Sequence, residues 1–244
     1  MSNGSLALCL AAGLAFCSTT TLAADQTSIL IFHASQAGMT TLDEGDGGGN
    51  PFARALVDVL SQNEANLSEL PSKLETLTVK KSHGLQTASG PASAPDWQLV
   101  PKKLAERRIA LVLVNSDYAK ASELPSLPGA RSDSERIAKV LTKAGFTTQT
   151  ALDLDLSSTR AKLKSFAEQS VNADVAVIYT TGHGVEVDGT IFHLPIDYPI
   201  KSKSAALPGK ALKLDDIAVS SRARKINLVF YGGCRNDPFT RKNQ

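Results

Sequence analysis

Cysteine is scarce in this chain: Cys9, Cys17 and Cys234 are the only three in 244 residues. The first two fall inside an amino-terminal segment with the features of an export signal. The chain that follows it holds one thiol and can form no internal disulfide. A charge excess is also missing. The formal net charge is +2, with a pI near 8.4, which offers no field to attract a nucleic acid or a membrane surface. No apolar run reaches the length of a membrane span. No two histidines or cysteines lie at zinc-ligand spacing. The glycine-rich acidic stretch DEGDGGGNP (43–51) lacks the regular oxygen ligands and the distal glutamate of an EF-hand.

What is present describes a folded α/β chain. Hydrophobic residues make up 42% and charged residues 20%, as in ordinary globular proteins. Residues 6–16 form an apolar run, and the small residues Ala23 and Ala24 supply a cleavage site. Residues 1–24 therefore read as a signal peptide, although the run is preceded by no Lys or Arg. The expected location is exported, either periplasmic or secreted, with no integral membrane segment after cleavage. Leu14-Ala15-Phe16-Cys17 only loosely matches a lipoprotein box, because Phe16 stands where a small residue is required.

Short apolar runs at 28–33, 109–114, 175–179 and 226–230 read as strands, 146–152 reads as another strand, and 189–193 as one arm of a hairpin. Helical spacing predicts helices over 51–60, 71–79, 133–143 and 157–171, with a weak helix over 212–220. Residues 82–95, rich in Ser, Gly, Ala and Pro, read as a long surface connection. Fully apolar strands separated by helices imply a mostly parallel sheet flanked by helices on both faces. In such sheets, sites gather at the carboxyl ends of strands.

Two segments occupy such ends. TTGHG (180–184) follows one strand and YGGCRN (231–236) follows the last. A thiolate nucleophile needs a base within reach and donors for an oxyanion. His183 and Cys234 supply base and nucleophile, each beside glycines that let backbone approach closely. Alone, a cysteine after a strand is ordinarily a small buried hydrophobe. The pairing of the two segments, 51 residues apart, is what favours a site. His33, His83 and His193 have no flanking glycines on both sides.

The same residues carry a family resemblance. RIALVLVNSDY (108–118), LPGARSDSERIAKVLTKAGF (127–146), DVAVIYTTGHGVEVDG (174–189), HLPIDY (193–198), LKLDDI (212–217) and INLVFYGGCRNDPF (226–239) resemble, in order, the large-subunit region of bacterial caspase-like peptidases, the group that includes metacaspases. Caspases place their histidine about 50 residues before the cysteine. SILIFHASQAG (28–38), DEGDGGGNPFARALVDVL (43–60) and KKSHGLQT (80–87) resemble the small-subunit region, which in that family follows the cysteine. The resemblance thus implies a caspase-like α/β fold with an apparent circular permutation. One domain would span 25–244, divided into a small-subunit-like part (25–99) and a large-subunit-like part (100–244).

The resemblance makes His183 and Cys234 catalytic and gives the backbone N–H groups of Gly184 and Cys234 to an oxyanion hole. It implies a protein or peptide substrate and offers Asp133 as an acidic substrate-binding residue. The chemistry needs no metal or organic cofactor. Calcium, which activates some metacaspases, has a weak candidate site in the acidic loop 43–46. The family's aspartate two residues before the cysteine is replaced here by Gly232, so a preference for Arg or Lys substrates does not carry over. Two readings of function follow: a cysteine-type endopeptidase, or a caspase-like module that binds proteins without cutting them.

Overall fold

The computed structural model describes residues 28–100, 105–119, 124–199 and 204–237, together with Met1, Lys201 and Phe239. The expected signal peptide lies outside the described residues. Five strands form the central sheet: β1 (Ile29–His33), β2 (Arg108–Val114), β3 (Thr147–Leu152), β4 (Val175–Thr181) and β8 (Ile226–Tyr231). Their spatial order is β1-β8-β4-β2-β3, and every pairing is parallel. A smaller antiparallel sheet joins β5 (Gly184–Val187), β6 (Thr190–His193) and β7 (Leu212–Lys213).

The alternation of side chains along each strand divides the core in two. From β2, Ala110, Val112 and Val114 face one layer, while Ile109, Leu111 and Leu113 face the other. The first layer is covered by α1 (Pro51–Leu60), α2 (Leu70–Lys81) and α3 (Pro128–Lys143). These contribute Phe52, Leu56, Leu74 and Ile137. The second is covered by α4 (Leu156–Ser170) and α6 (Leu214–Ala218), through Leu163, Phe166 and Ile217. A short α5 (Leu207–Lys210) packs with β7. Every residue of β2 and β4 is buried, which is why these strands read as unbroken apolar runs.

Beyond end shifts of one or two residues, three features depart from or add to the sequence expectation. Helix α3 begins at Pro128 rather than 133, because the Asp43 carboxylate accepts the N–H groups of Gly129 and Ala130 at 2.9 Å each. That cap comes from 86 residues away and leaves no local signal. The 212–220 helix is split: Leu212 and Lys213 are strand, and only Leu214–Ala218 is helical. The hairpin has its second arm at Gly184–Val187, closed by Asp188 and Gly189, both at positive φ (48° and 74°), the pattern of a type I′ turn.

The 82–95 connection is not simply a surface loop. Gln86 is buried, and its side chain accepts the Leu42 N–H (2.9 Å) and donates to the Ala34 carbonyl (2.9 Å). His33 and Ser89 exchange backbone hydrogen bonds of 2.7 and 2.9 Å. This stitching fixes the chain that leaves β1.

Phe230 anchors the β1–β8 side of the sheet. Its ring stacks on Phe32 at 5.2 Å and meets Phe52 at 6.5 Å. Phe230→Ala should cost about 3–5 kcal/mol, the usual range for a buried ring replaced by a cavity. Urea unfolding followed by circular dichroism measures it. A loss below about 1 kcal/mol would show that this side of the core does not hold the sheet.

Candidate active site

The carboxyl ends of β4 and β8 bring the two predicted segments together. In the sheet, Thr180 pairs with Tyr231, and the Gly232 N–H donates to the Thr180 carbonyl at 2.8 Å. Beyond these residues the chains run side by side. A Cβ on Gly184 would run into the Tyr231 hydroxyl and stand 2.9 Å from the Cys234 carbonyl. A Cβ on Gly182 would lie 2.6 Å from the Tyr118 hydroxyl and 2.9 Å from His193 Cε1. The glycines around His183 therefore do a definite job: they make room for two buried tyrosines beneath the loop.

His183 is held from three directions. Its Nε2 lies 2.8 Å from the Pro125 carbonyl. A carbonyl only accepts, so Nε2 carries the proton and Nδ1 keeps a lone pair. The His183 backbone N–H donates to the Tyr118 hydroxyl at 2.9 Å, and that hydroxyl donates to the Leu194 carbonyl at 2.8 Å. The Tyr118 ring meets the imidazole edge-on at 4.6 Å. Burial lowers the His183 pKa, against smaller upward effects of the Pro125 carbonyl and the Asp43 charge. The imidazole is therefore neutral near pH 7 and able to accept a proton.

His193, directly beneath, is fully buried, and desolvation pushes its pKa down to about 4, with His183 adding to the effect. It too is neutral, so it adds no positive charge to the site.

Cys234 is half-buried and free. No hydrogen bond joins its sulfur to His183. Instead Sγ receives the Thr41 N–H at 3.3 Å and lies 3.3 Å from Thr41 Oγ1. The segment carrying Thr41 is bound to the cysteine loop by two backbone hydrogen bonds. Arg235 N–H donates to Met39 O (2.9 Å), and Gly38 N–H donates to Arg235 O (3.0 Å). The Arg235 guanidinium reaches Glu186 Oε2 at 2.8 Å, an ion pair whose side chains are only 14% and 13% exposed. It ties the hairpin to the cysteine loop.

The N–H of Gly184, expected to serve an oxyanion, is left out of the hairpin ladder. The Leu194 N–H donates to the His183 carbonyl at 2.9 Å, so 183/194 is a hydrogen-bonded pair. The next pair, Gly184 and His193, falls at a non-hydrogen-bonded position. The hairpin does not use the Gly184 N–H.

Asp133 stands apart from these groups. The expectation put it against substrate, but the structure places its carboxylate inside. It accepts the Asn50 N–H at 2.7 Å and meets Arg136 at 3.3 Å, with no exposed surface. Its observed partners bind the entry of α1 to α3. Among the described residues, no group of three or more His, Cys, Asp or Glu could hold a metal ion, and the acidic loop 43–46 forms no such cluster. Three contributors to the site have no local sequence signal: the Pro125 carbonyl, the Tyr118 hydroxyl and Thr41.

Comparison with known families agrees with this architecture. The family model described as a caspase domain matches residues 107–243. The chain belongs to the caspase-domain family. The match covers β2 through β8, and with them both loops of the candidate site. A solved structure, caspase-1 from Spodoptera frugiperda, is similar at 19% identity and a TM-score of 0.41, over 55% of this chain and 50% of that one. The chain thus spans about half the length of that structure. A search of curated protein sequences returned no match.

Two measurements check this geometry. Gly184→Ala should displace the His183 loop from Cys234, and adding Tyr231→Phe, which removes the hydroxyl in its way, should restore part of the wild-type thiol labelling rate. Failure of the double variant to recover would place the strain elsewhere. For Asp133, burial raises the pKa from 3.8 to about 7, outweighing the lowering by Asn50 and Arg136. The folded state then holds a proton that the unfolded chain releases. Its stabilising contribution is full below 3.8 and is lost as the pH rises through about 7. Thermal unfolding midpoints should fall across that window, and Asp133→Asn should flatten the fall. An unchanged slope in the variant would assign the pH dependence to other groups.

Proposed function

We propose that this caspase-domain protein is a cysteine-type endopeptidase. The observation that carries the reading is the state of His183: neutral, with Nε2–H committed to Pro125 and Nδ1 left open, on a loop in contact with that of the candidate nucleophile. Cys234 Sγ attacks the carbonyl carbon of a peptide bond while the thiol proton passes to His183 Nδ1. The N–H groups of Gly184 and Cys234 receive the resulting oxyanion. The C–N bond then breaks as His183 returns the proton to the leaving amine. Water attacks the thioester, His183 takes its proton, and the thiol is regenerated with release of the acid.

The amino-terminal part, 25–99, contributes Thr41 to the surroundings of the sulfur. With residues 1–24 removed, the protein would act outside the cytoplasm on protein or peptide substrates. A second reading, a module that binds proteins without cutting them, draws on the sulfur's present contact with Thr41 rather than His183.

A thiol-reactive probe and a mixed peptide library separate the two. An endopeptidase should label at Cys234 and cleave library peptides, and His183→Ala should lower kcat/KM by at least about 10²-fold, the usual contribution of a general base. Slow labelling that is indifferent to His183→Ala, with no peptide cut, would leave the binding module standing.

A further inference from the structure

The strongest unassigned feature is the grip of Thr41 on the cysteine sulfur. Three atoms of one residue surround Sγ: the backbone N–H and Oγ1 at 3.3 Å each, and the carbonyl oxygen at 3.9 Å. The sequence places these residues 193 positions apart, yet the segment between Met39 and Asp43 is pinned on both sides. Met39 O accepts from Arg235, Leu42 N–H donates to Gln86, and Asp43 caps α3. Thr41 is therefore held in place by the fold, and its contact with the sulfur needs no rearrangement.

We propose that Thr41 is a positioning residue that activates Cys234 by donating two hydrogen bonds to its thiolate. A backbone N–H can only donate, so it favours the charged sulfur over the neutral thiol. The hydroxyl has two acceptors in reach, Sγ at 3.3 Å and the Gly232 carbonyl at 3.4 Å. With the thiol protonated, the hydroxyl donates to Gly232 and its lone pairs face the S–H. When the proton leaves, the hydroxyl turns and donates to the sulfur. One rotation about a single bond adapts the hydroxyl to either charge state, while the Thr41 carbonyl, the most distant of the three atoms at 3.9 Å, is a fixed acceptor that favours the thiol.

Other titratable groups lie near the sulfur and remain unchanged in the test. His183 sits on the loop that runs beside the cysteine loop. Arg235 and Tyr231 flank it along its own chain, and Glu186 of β5 compensates Arg235. His33, at the end of β1, is held neutral by burial, with its pKa near 4 and Arg235 adding to that effect. Asp43 lies two residues beyond Thr41, its carboxylate bound by the N–H groups of Gly129 and Ala130.

The inference takes Cys234 as the thiol of the proposed reaction, but its test does not require a peptide to be cut. The rate of alkylation of Cys234 by iodoacetamide is measured from pH 5 to 10 in the full chain, in Thr41→Val and in Thr41→Ser. Valine keeps the bulk over the sulfur and the backbone N–H while removing the hydroxyl. The alkylation midpoint of Thr41→Val should rise by about one pH unit. A more basic thiolate is also the better nucleophile, with a Brønsted coefficient of about 0.4–0.5. The two effects make the profiles cross: about threefold slower than wild type at neutral pH, about threefold faster on the alkaline plateau.

Thr41→Ser should follow wild type within about twofold, since its hydroxyl keeps the bond. A purely steric or structural role would scale the rate by one factor at every pH. Parallel profiles, or a serine variant that behaves like valine, would overturn the proposal. If the profiles cross while His183→Ala leaves labelling unaltered and no peptide is cleaved, Thr41 keeps its role and the peptidase reading fails.

Discussion

The parallel register between β1 and β8 is the constraint on which the site depends. His33 stands opposite Tyr231, so the chains leaving these two strands emerge level with each other. The β1 exit becomes the segment 34–43, and the β8 exit becomes the cysteine loop. A slip of two residues along the ladder would move Thr41 roughly 7 Å away from the sulfur, given a rise of about 3.3 Å per residue. A slip of one would exchange the faces of Phe32 and Phe230 and break the aromatic stack beneath. Core packing thus sets the surroundings of the Cys234 sulfur, and the site inherits its precision from the sheet.

Desolvation governs the electrostatics around that register. It lowers the pKa values of His33, His183 and His193 alike, leaving three uncharged imidazoles near the carboxyl ends of the strands. Positive charge near the sulfur comes from Arg235, and Glu186 balances it. A neutral His183 can accept a proton, and little uncompensated charge surrounds the sulfur. The Asp133 carboxylate, buried on the other side of Asp43, carries the same desolvation in the opposite direction and holds its proton longer. The two aspartates act together as a joint, half-buried Asp43 capping α3 and buried Asp133 receiving the N–H that leads into α1.

Much of this was readable in the residues. Apolar runs marked β1, β2, β4 and β8, and in β2 and β4 burial on both faces removes any polar alternation; β3, TTQTAL at the sheet edge, is mostly polar. The glycines flanking His183 and preceding Cys234 marked two strand ends, and the sheet places those ends side by side. What stayed hidden depends on distant partners. The first turn of α3 is capped by Asp43, Gln86 is buried by its bonds to Leu42 and Ala34, and the Pro125 carbonyl sits 58 positions before the ring it holds. A backbone carbonyl has no residue-type signature, so no reading of composition or spacing could have found it. Asp133 presents the opposite case: an acidic side chain in a motif suggests a ligand, and the structure surrounds it with Asn50 and Arg136 in the interior.

The pairing of β1 with β8 also bears on how the molecule reaches its native state. Strand β1 lies at the amino-terminal end of the described chain, and its partner lies nearly two hundred residues later. Parallel partners so far apart close a large loop, and loop-closure entropy makes such contacts slow to form. Until β8 is available, β1 presents an unpaired edge, and the Thr41 segment has no sulfur to meet. The thiol and its surroundings therefore come together only when the sheet is nearly complete. The sulfur's hydrogen bonds are a late product of folding, and a partly folded chain carries its cysteine without them.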